Sequence, residues 1–239
     1  MSDTITDKAA SPTGHPVLKH LIQMVVSGLV IAAVLFLAAG RLDWFYGWLY
    51  VAVWIASKAA YVLIIGRHDP ALIAERARQP ADQKPWDRVV LTLYLVFCLA
   101  TLVVAGLGAR RPQHPSIVSV AVGIAGWMVY IAALALATWA TAANPFHSRV
   151  ARIQDDRGQT VATAGPYQYL RHPTYLATVI GWLTTPPILG SWWALVPAAM
   201  AGAVMIRRTA LEDKMLHEEL PGYAEYAQRV RYRLLPGIW

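Results

Sequence analysis

The chain has 239 residues, 56% of them hydrophobic and only 15% charged, where a soluble domain carries about a quarter charged residues. Its formal charge of +7 is spread through the segments between apolar blocks, with no compact basic face interleaved with stacking aromatics. This argues against nucleic acid and for membrane lipids with anionic head groups as partners. The single cysteine, Cys98, lies inside an apolar run; it allows no intrachain disulfide and no multi-cysteine metal site, and no metal is expected.

The stretch Met1–Pro16 is polar and carries Asp3, Asp7 and Lys8. It lacks a short apolar core followed by a small-residue cleavage site, so it is not read as a removable signal peptide. Four runs then reach the roughly 20 residues needed to cross about 30 Å of hydrocarbon: Leu21–Ala39, Trp44–Ile65, Val89–Leu107 and Ile117–Ala140. Lys58 interrupts the second, and a charge there must face protein or water, or snorkel. A fifth apolar stretch, Tyr175–Ile206, is too long for one span and short for two. Pro186 and Pro187 break it and Gly190-Ser191 supplies a turn, which predicts a tight hairpin of Tyr175–Leu189 and Trp192–Ile206; a single kinked span is the alternative. Trp192 and Trp193 would mark the far interface.

Charge separates these readings. With six spans and the N-terminus inside, seventeen Lys and Arg fall on the inner side, and only Arg41, Arg110 and Arg111 fall outside. Five spans would put the basic tail outside, against the bias of every earlier loop. The expected fold is an all-α polytopic membrane bundle of about six spans, five if the last hairpin is one kinked span. Both termini and a helical tail would be cytoplasmic, in a bacterial inner membrane. The division expected is 1–66, a two-span segment, and 67–239, a core carrying the site.

The long polar segments all lie on the inner side. Asp69-Pro70 reads as an N-cap with proline at N1, opening a surface-lying helix with Leu72, Ile73 and Ala77 as its apolar stripe. Thr141–Thr174 holds Asn144-Pro145-Phe146, the turn Asp155-Asp156-Arg157-Gly158, and then Gly165-Pro166-Tyr167-Gln168-Tyr169-Leu170-Arg171-His172-Pro173-Thr174-Tyr175. Pro173 disfavours helix at His172 and suits the first turn of the next helix, so Arg171 and His172 are expected in extended backbone at a helix N-terminus, where an anion is welcome. The bland reading, a basic anchor beside an interfacial histidine, stays open. In the tail, Leu211, Met215 and Leu216 continue one helical stripe, and Arg208 and Glu212 are four apart on one face. Glu218, Glu219 and Glu225 read as solvated ion-pair partners. Glu212 and Asp213, within about two turns of the membrane exit, read as functional acids.

Gly165-Pro166-Tyr167-x-Tyr169-x-Arg171-His172-Pro173-x-Tyr175 resembles the signature of the isoprenylcysteine carboxyl methyltransferase family. Arg207-x4-Glu212-Asp213-x2-Leu216, with Tyr223, Tyr226 and Pro236 beyond it, resembles the second half of that signature. Asn144-Pro145-Phe146 and Asp69-Pro70…Trp86-Asp87-Arg88 are similar to bacterial members. Two positions depart from the pattern: Asp213 stands where Glu is usual, and Ala177 where Gly is usual. The resemblance implies an integral membrane S-adenosylmethionine-dependent methyltransferase, transferring to O or S of a lipophilic small-molecule or lipid-modified acceptor. By the same resemblance, Gly165, Pro166, Tyr167, His172, Pro173, Tyr175, Glu212 and Asp213 would bind the cofactor. Arg171 or Arg207 would position an acidic acceptor, and Glu212 or His172 would take a proton where one must leave. Two other classes remain open: an NADPH-dependent membrane reductase of the steroid-reductase type, against which the acids Glu212-Asp213 weigh, and a transporter or scaffold, for which repeats and paired mid-membrane charges are wanting.

Overall fold

The computed structural model describes residues 16–77, 82–110 and 117–239. The expectations for Asp3, Asp7 and Lys8, for Arg78, and for Arg111 with the rest of the loop up to residue 116 lie outside the described residues. Among the described residues every regular element is helical: α1 (Pro16–Ala39), α2 (Phe45–His68), α3 (Pro70–Ala77), α4 (Pro85–Gly108), α5 (Ile117–Ala142), α6 (Pro173–Ile188), α7 (Leu195–Glu219) and α8 (Tyr223–Arg229). Five of these, α1, α2, α4, α5 and α7, are long and apolar enough to cross a membrane. The chain is a polytopic helical membrane protein.

Its surface inverts that of a soluble protein. Leu29, Leu37, Leu63, Met128 and Trp193 are 59–78% exposed, whereas Asp87, Gln154 and Asp213 are at most 1% exposed. Helices close their backbone hydrogen bonds internally, so apolar side chains can face lipid while polar ones collect inside. At one end of the bundle Leu35, Phe36, Leu102, Ala105 and Leu189 form the core. There α1 and α4 touch closely: a Cβ at Gly106 would stand 2.6 Å from the Leu35 carbonyl oxygen and 2.7 Å from the Ala38 Cβ.

The last apolar stretch is a hairpin and not a kinked span: α6 and α7 pack on one another across a reversal at Leu189–Ser191, with Gly190 at φ +73°. Pro186 and Pro187 do not break the helix. They lie in the last turn of α6, which runs on to Ile188. With 16 residues, α6 reaches only about 24 Å. Trp192 and Trp193 sit exposed at the hairpin tip, as expected.

At the opposite, polar end, Asp69 caps α3 by accepting the Leu72 N–H on Oδ1 at 3.0 Å. Yet α3 is not surface-lying. Leu72 and Ile73 are at most 1% exposed and pack with Ile65, folding the short helix back against α1 and α2. The seventh helix continues unbroken past the apolar section to Glu219, burying Met215 and carrying Glu212 and Asp213 to this same end.

Candidate active site

The segment between α5 and α6 has almost no regular structure, so side chains hold it. Asn144 Oδ1 accepts the Phe146 N–H at 2.9 Å, an Asx turn imposed by the following proline, and Asn144 Nδ2 donates to Tyr167 Oη at 3.3 Å. Buried Gln154 donates to the Phe146 carbonyl and accepts Arg157 Nη1 at 2.7 Å. Arg152 anchors the segment through Glu75 (2.7 Å), Asp82 (2.8 Å) and Asp156 (3.1 Å). Burial opposes its charge, but hydrogen bonds to Asp82, Glu75 and Asp156 outweigh that and raise its pKa. Asp87, wholly buried in α4, takes the Ala151 N–H on Oδ2 at 2.9 Å and Arg208 Nε on Oδ1 at 2.7 Å. The expected side-by-side pairing of Arg208 with Glu212 therefore yields to Asp87. A fully buried carboxylate has greater need of a counter-charge than one at a cavity edge.

Gly165 turns the chain at φ +58°, where a Cβ would come within 2.9 Å of the Ala143 Cβ and 3.1 Å of Trp139 Nε1. The turn seats Tyr167, whose carbonyl accepts Tyr226 Oη at 2.7 Å. Burial pushes the Tyr167 phenol up to about 12 despite the hydrogen bond from Asn144. Arg171 and His172 are not in the expected extended backbone: Arg171 lies in a bend and His172 has φ −130° and ψ 59°, outside both helix and strand, just before Pro173 opens α6. Their N–H groups donate to the carbonyls of Tyr232 and Arg233, each at 3.0 Å, so the C-terminal strand of chain ties down the threshold of α6.

Asp213 is the hub behind this threshold. Its Oδ1 accepts Tyr223 Oη at 2.9 Å and lies 3.2 Å from Arg171 Nη1 and 3.3 Å from His172 Nε2, while Oδ2 accepts Arg233 Nε at 2.7 Å. Burial, and then the Asp213 charge and hydrogen bond, raise the Tyr223 pKa, so that phenol stays a donor. Glu212, one residue earlier on α7, points elsewhere and accepts the Tyr175 hydroxyl. The Tyr175 ring stacks on His172 (centroids 5.7 Å apart, planes at 5°) and carries the Arg208 guanidinium 5.0 Å from its centroid.

These groups surround a cavity at the polar end of the bundle. Of the residues expected at the site, Tyr167, Arg171, His172, Tyr175 and Glu212 line it. Gly165, Pro166, Pro173 and Asp213 do not: the first three shape the backbone and Asp213 fixes the Arg171 and His172 side chains from behind. Arg207 is exposed on α7 and is not brought to the cavity; its neighbour Arg208 is the buried one. Arg171 keeps one donor free, since its Nε is buried with no hydrogen-bond partner. The wall also includes His147, Gln154 and Tyr223. Burial, and then the charges of Arg76 and Arg208, hold the His147 imidazole well below its ordinary pKa, so it is neutral. Among the described residues no group of three or more His, Cys, Asp or Glu is placed to hold a metal ion.

Residues 124–218 match the isoprenylcysteine carboxyl methyltransferase (ICMT) family model. The match takes in most of α5, the loop, α6 and nearly all of α7, the elements that build the cavity. Over 80 residues the chain is also 35% identical to the cobalt-zinc-cadmium resistance protein CzcN of Cupriavidus metallidurans; the match covers 32% of this chain and 36%, about a third, of that protein. Residues 124–218 thus resemble the isoprenylcysteine carboxyl methyltransferase family, within a chain that is an integral membrane protein.

Proposed function

We propose that the cavity binds S-adenosylmethionine and that the protein methylates a lipophilic acceptor at a carboxylate or thiol. One observation carries this reading: Arg171, with its buried and unpaired Nε, and the Glu212 carboxylate face one cavity inside the segment that matches the family. That donor set fits a ligand with a carboxylate at one end and a cation in its body. When bound, the cofactor supplies an electrophilic methyl group on a sulfonium. Arg171 orients the carboxylate end, held by Asp213. Glu212 and the Tyr175 ring offer the sulfonium negative charge and a π face, and Tyr175, Arg208 and Asp87 in turn keep Glu212 placed. Methyl transfer needs alignment more than proton transfer. A carboxylate acceptor therefore requires no base, whereas a thiol would lose its proton to Glu212 or His172. Asp213 and Gly165 are positioning residues, and Arg207, exposed on α7, does not line this cavity.

A second cavity lies between α2, α4, α5 and α6, walled by Tyr50, Tyr94, Tyr130, Trp182, Ala177 and Thr178. Thr178 is one turn along α6 from Thr174, which lines the first cavity. This aromatic chamber suits the apolar body of an acceptor entering sideways from the bilayer. Residues 67–239 carry the cofactor site, and 1–66 contribute to the acceptor chamber through Tyr50. The basic excess at the polar end supports a site at the cytoplasmic face of a bacterial inner membrane.

The test is transfer of methyl label from S-adenosylmethionine by the purified protein in detergent, offered membrane-lipid extract and water-soluble acceptors together. Label in the lipid fraction is expected. Label confined to water-soluble acceptors would overturn the lipophilic acceptor.

A further inference from the structure

Lys58 lies ten residues before the end of α2, about 15 Å inside that helix, in a segment otherwise apolar. An isolated ammonium there is costly. It is not isolated from other cations, however. The fold of α3 back onto α1 and α2 brings Arg76 to it, and the chain after α5 brings Arg149. The three, with Gln23, Trp54 and Tyr61, line one pocket. Among the described residues no acid lines it. The Lys58 ammonium sits 5.5 Å over the Trp54 ring and the Arg76 guanidinium 5.6 Å over the Tyr61 ring. Aromatic faces hold cations in place but do not neutralise them. Arg76 Nε and Nη1 are buried with no hydrogen-bond partner. Arg76 thus has unmet donors beside a pocket that Lys58 and Arg149 also line, and the oxygens of a phosphate or carboxylate would supply acceptors and countercharge there.

The surroundings specify what carries that oxyanion. The adjoining outer face of α1 is apolar and uncovered, with Ile22, Val25, Val26 and Leu29 all more than half exposed. A ligand with a charged head in the pocket and a hydrocarbon chain along α1 satisfies both surfaces.

We propose that the pocket of Lys58, Arg76 and Arg149 binds the oxyanion head group of a membrane amphiphile whose chain lies along α1. The site is separate from the cofactor cavity, since no residue lines both, but Trp54 and Lys58 also wall the aromatic chamber between α2, α4, α5 and α6. It adjoins the cofactor cavity, because Ser148 and Val150, on either side of Arg149, belong to that cavity's wall. Nothing in this proposal rests on methyl transfer.

The experiment is the thermal midpoint of the full chain in nanodiscs of phosphatidylcholine alone or with phosphatidylglycerol, and in neutral detergent with palmitate or with inorganic phosphate. Wild type is expected to gain stability with the anionic amphiphiles, and the concentration of amphiphile needed to rise about tenfold or more in Arg76→Gln and Lys58→Met. Arg67→Gln, which removes an exposed cation at the same end of α2, should leave the response intact. A response to phosphatidylglycerol identifies a phosphate head, and one to palmitate a carboxylate. A shift produced equally by inorganic phosphate would overturn the need for a chain. No shift with any amphiphile, or an equal loss in Arg67→Gln, would overturn the site. Should Arg76→Gln fail to fold, Arg76→Lys keeps the charge but loses the guanidinium donors; an unchanged response in it and in Lys58→Met would also count against the proposal.

Discussion

Arg208 Nε donates to Asp87 Oδ1 at 2.7 Å across 121 residues of sequence, with both side chains almost wholly buried. The pair locks α7 to α4 and, through the Ala151 N–H on the other Asp87 oxygen, fixes the loop that walls the cavity.

Breaking this pair from one side leaves an uncompensated buried charge. Asp87→Asn or Arg208→Met is expected to cost about 3–5 kcal/mol each. The double variant should lose markedly less than the sum of the two, since neither charge is then stranded. Unfolding titrations in mixed micelles measure both; strict additivity would contradict direct coupling.

Glu212 and Asp213 are neighbours with different tasks, and their amides should separate them. Glu212→Gln faces the cavity and is expected to weaken cofactor binding about tenfold with little change in thermal midpoint. Asp213→Asn removes the charge and one of the two acceptor oxygens that Tyr223, Arg171, His172 and Arg233 share, so affinity and midpoint should both fall. Parallel calorimetry and thermal melts distinguish the patterns.

How far these roles could be read in the sequence depended on range. Periodicity and charge were enough for the bundle and for the last hairpin, because Gly190-Ser191 is a local turn signal. The start of α6 at Pro173, with His172 outside the helix, followed from the proline for the same reason; the bend at Arg171 did not, since it is set by the hydrogen bonds to Tyr232 and Arg233. What escaped was long-range. Nothing local says that Arg208 prefers Asp87 to Glu212, or that Arg207 rather than Arg208 faces outward; that choice is set by the packing of α7 on α4. Likewise α3 was read as surface-lying, since two apolar residues in a short helix do not reveal the α1–α2 groove that buries them. The wall formed by His147 and Gln154 left no signal beyond Asn144-Pro145-Phe146, because loop side chains are positioned by tertiary contacts alone.

His147 gives a pH dependence with a definite sign. Its imidazole titrates near 6.5 in the unfolded chain and well below that in the fold. Below pH 6.5 the unfolded chain therefore binds more protons, so stability is complete above that value and declines as pH falls beneath it. His147→Gln should flatten this decline. An identical pH profile in the variant would rule out His147 as its source.

At Gly165 both φ and space exclude a side chain. Gly165→Ala is expected to cost about 1–2 kcal/mol from the left-handed backbone alone, and more from the contacts with Ala143 and Trp139. Because the turn seats Tyr167, cofactor affinity should drop with stability. A thermal midpoint within experimental error of wild type would contradict this geometry.

The central claim, that Arg171 and Glu212 frame an S-adenosylmethionine site, is tested most directly by calorimetry of the full chain in detergent with S-adenosylhomocysteine and, separately, with NADPH. Saturable binding of S-adenosylhomocysteine, lost in Arg171→Ala, with no heat from NADPH, is the predicted result. Binding of NADPH without S-adenosylhomocysteine, or affinity for S-adenosylhomocysteine undiminished in Arg171→Ala, would contradict it.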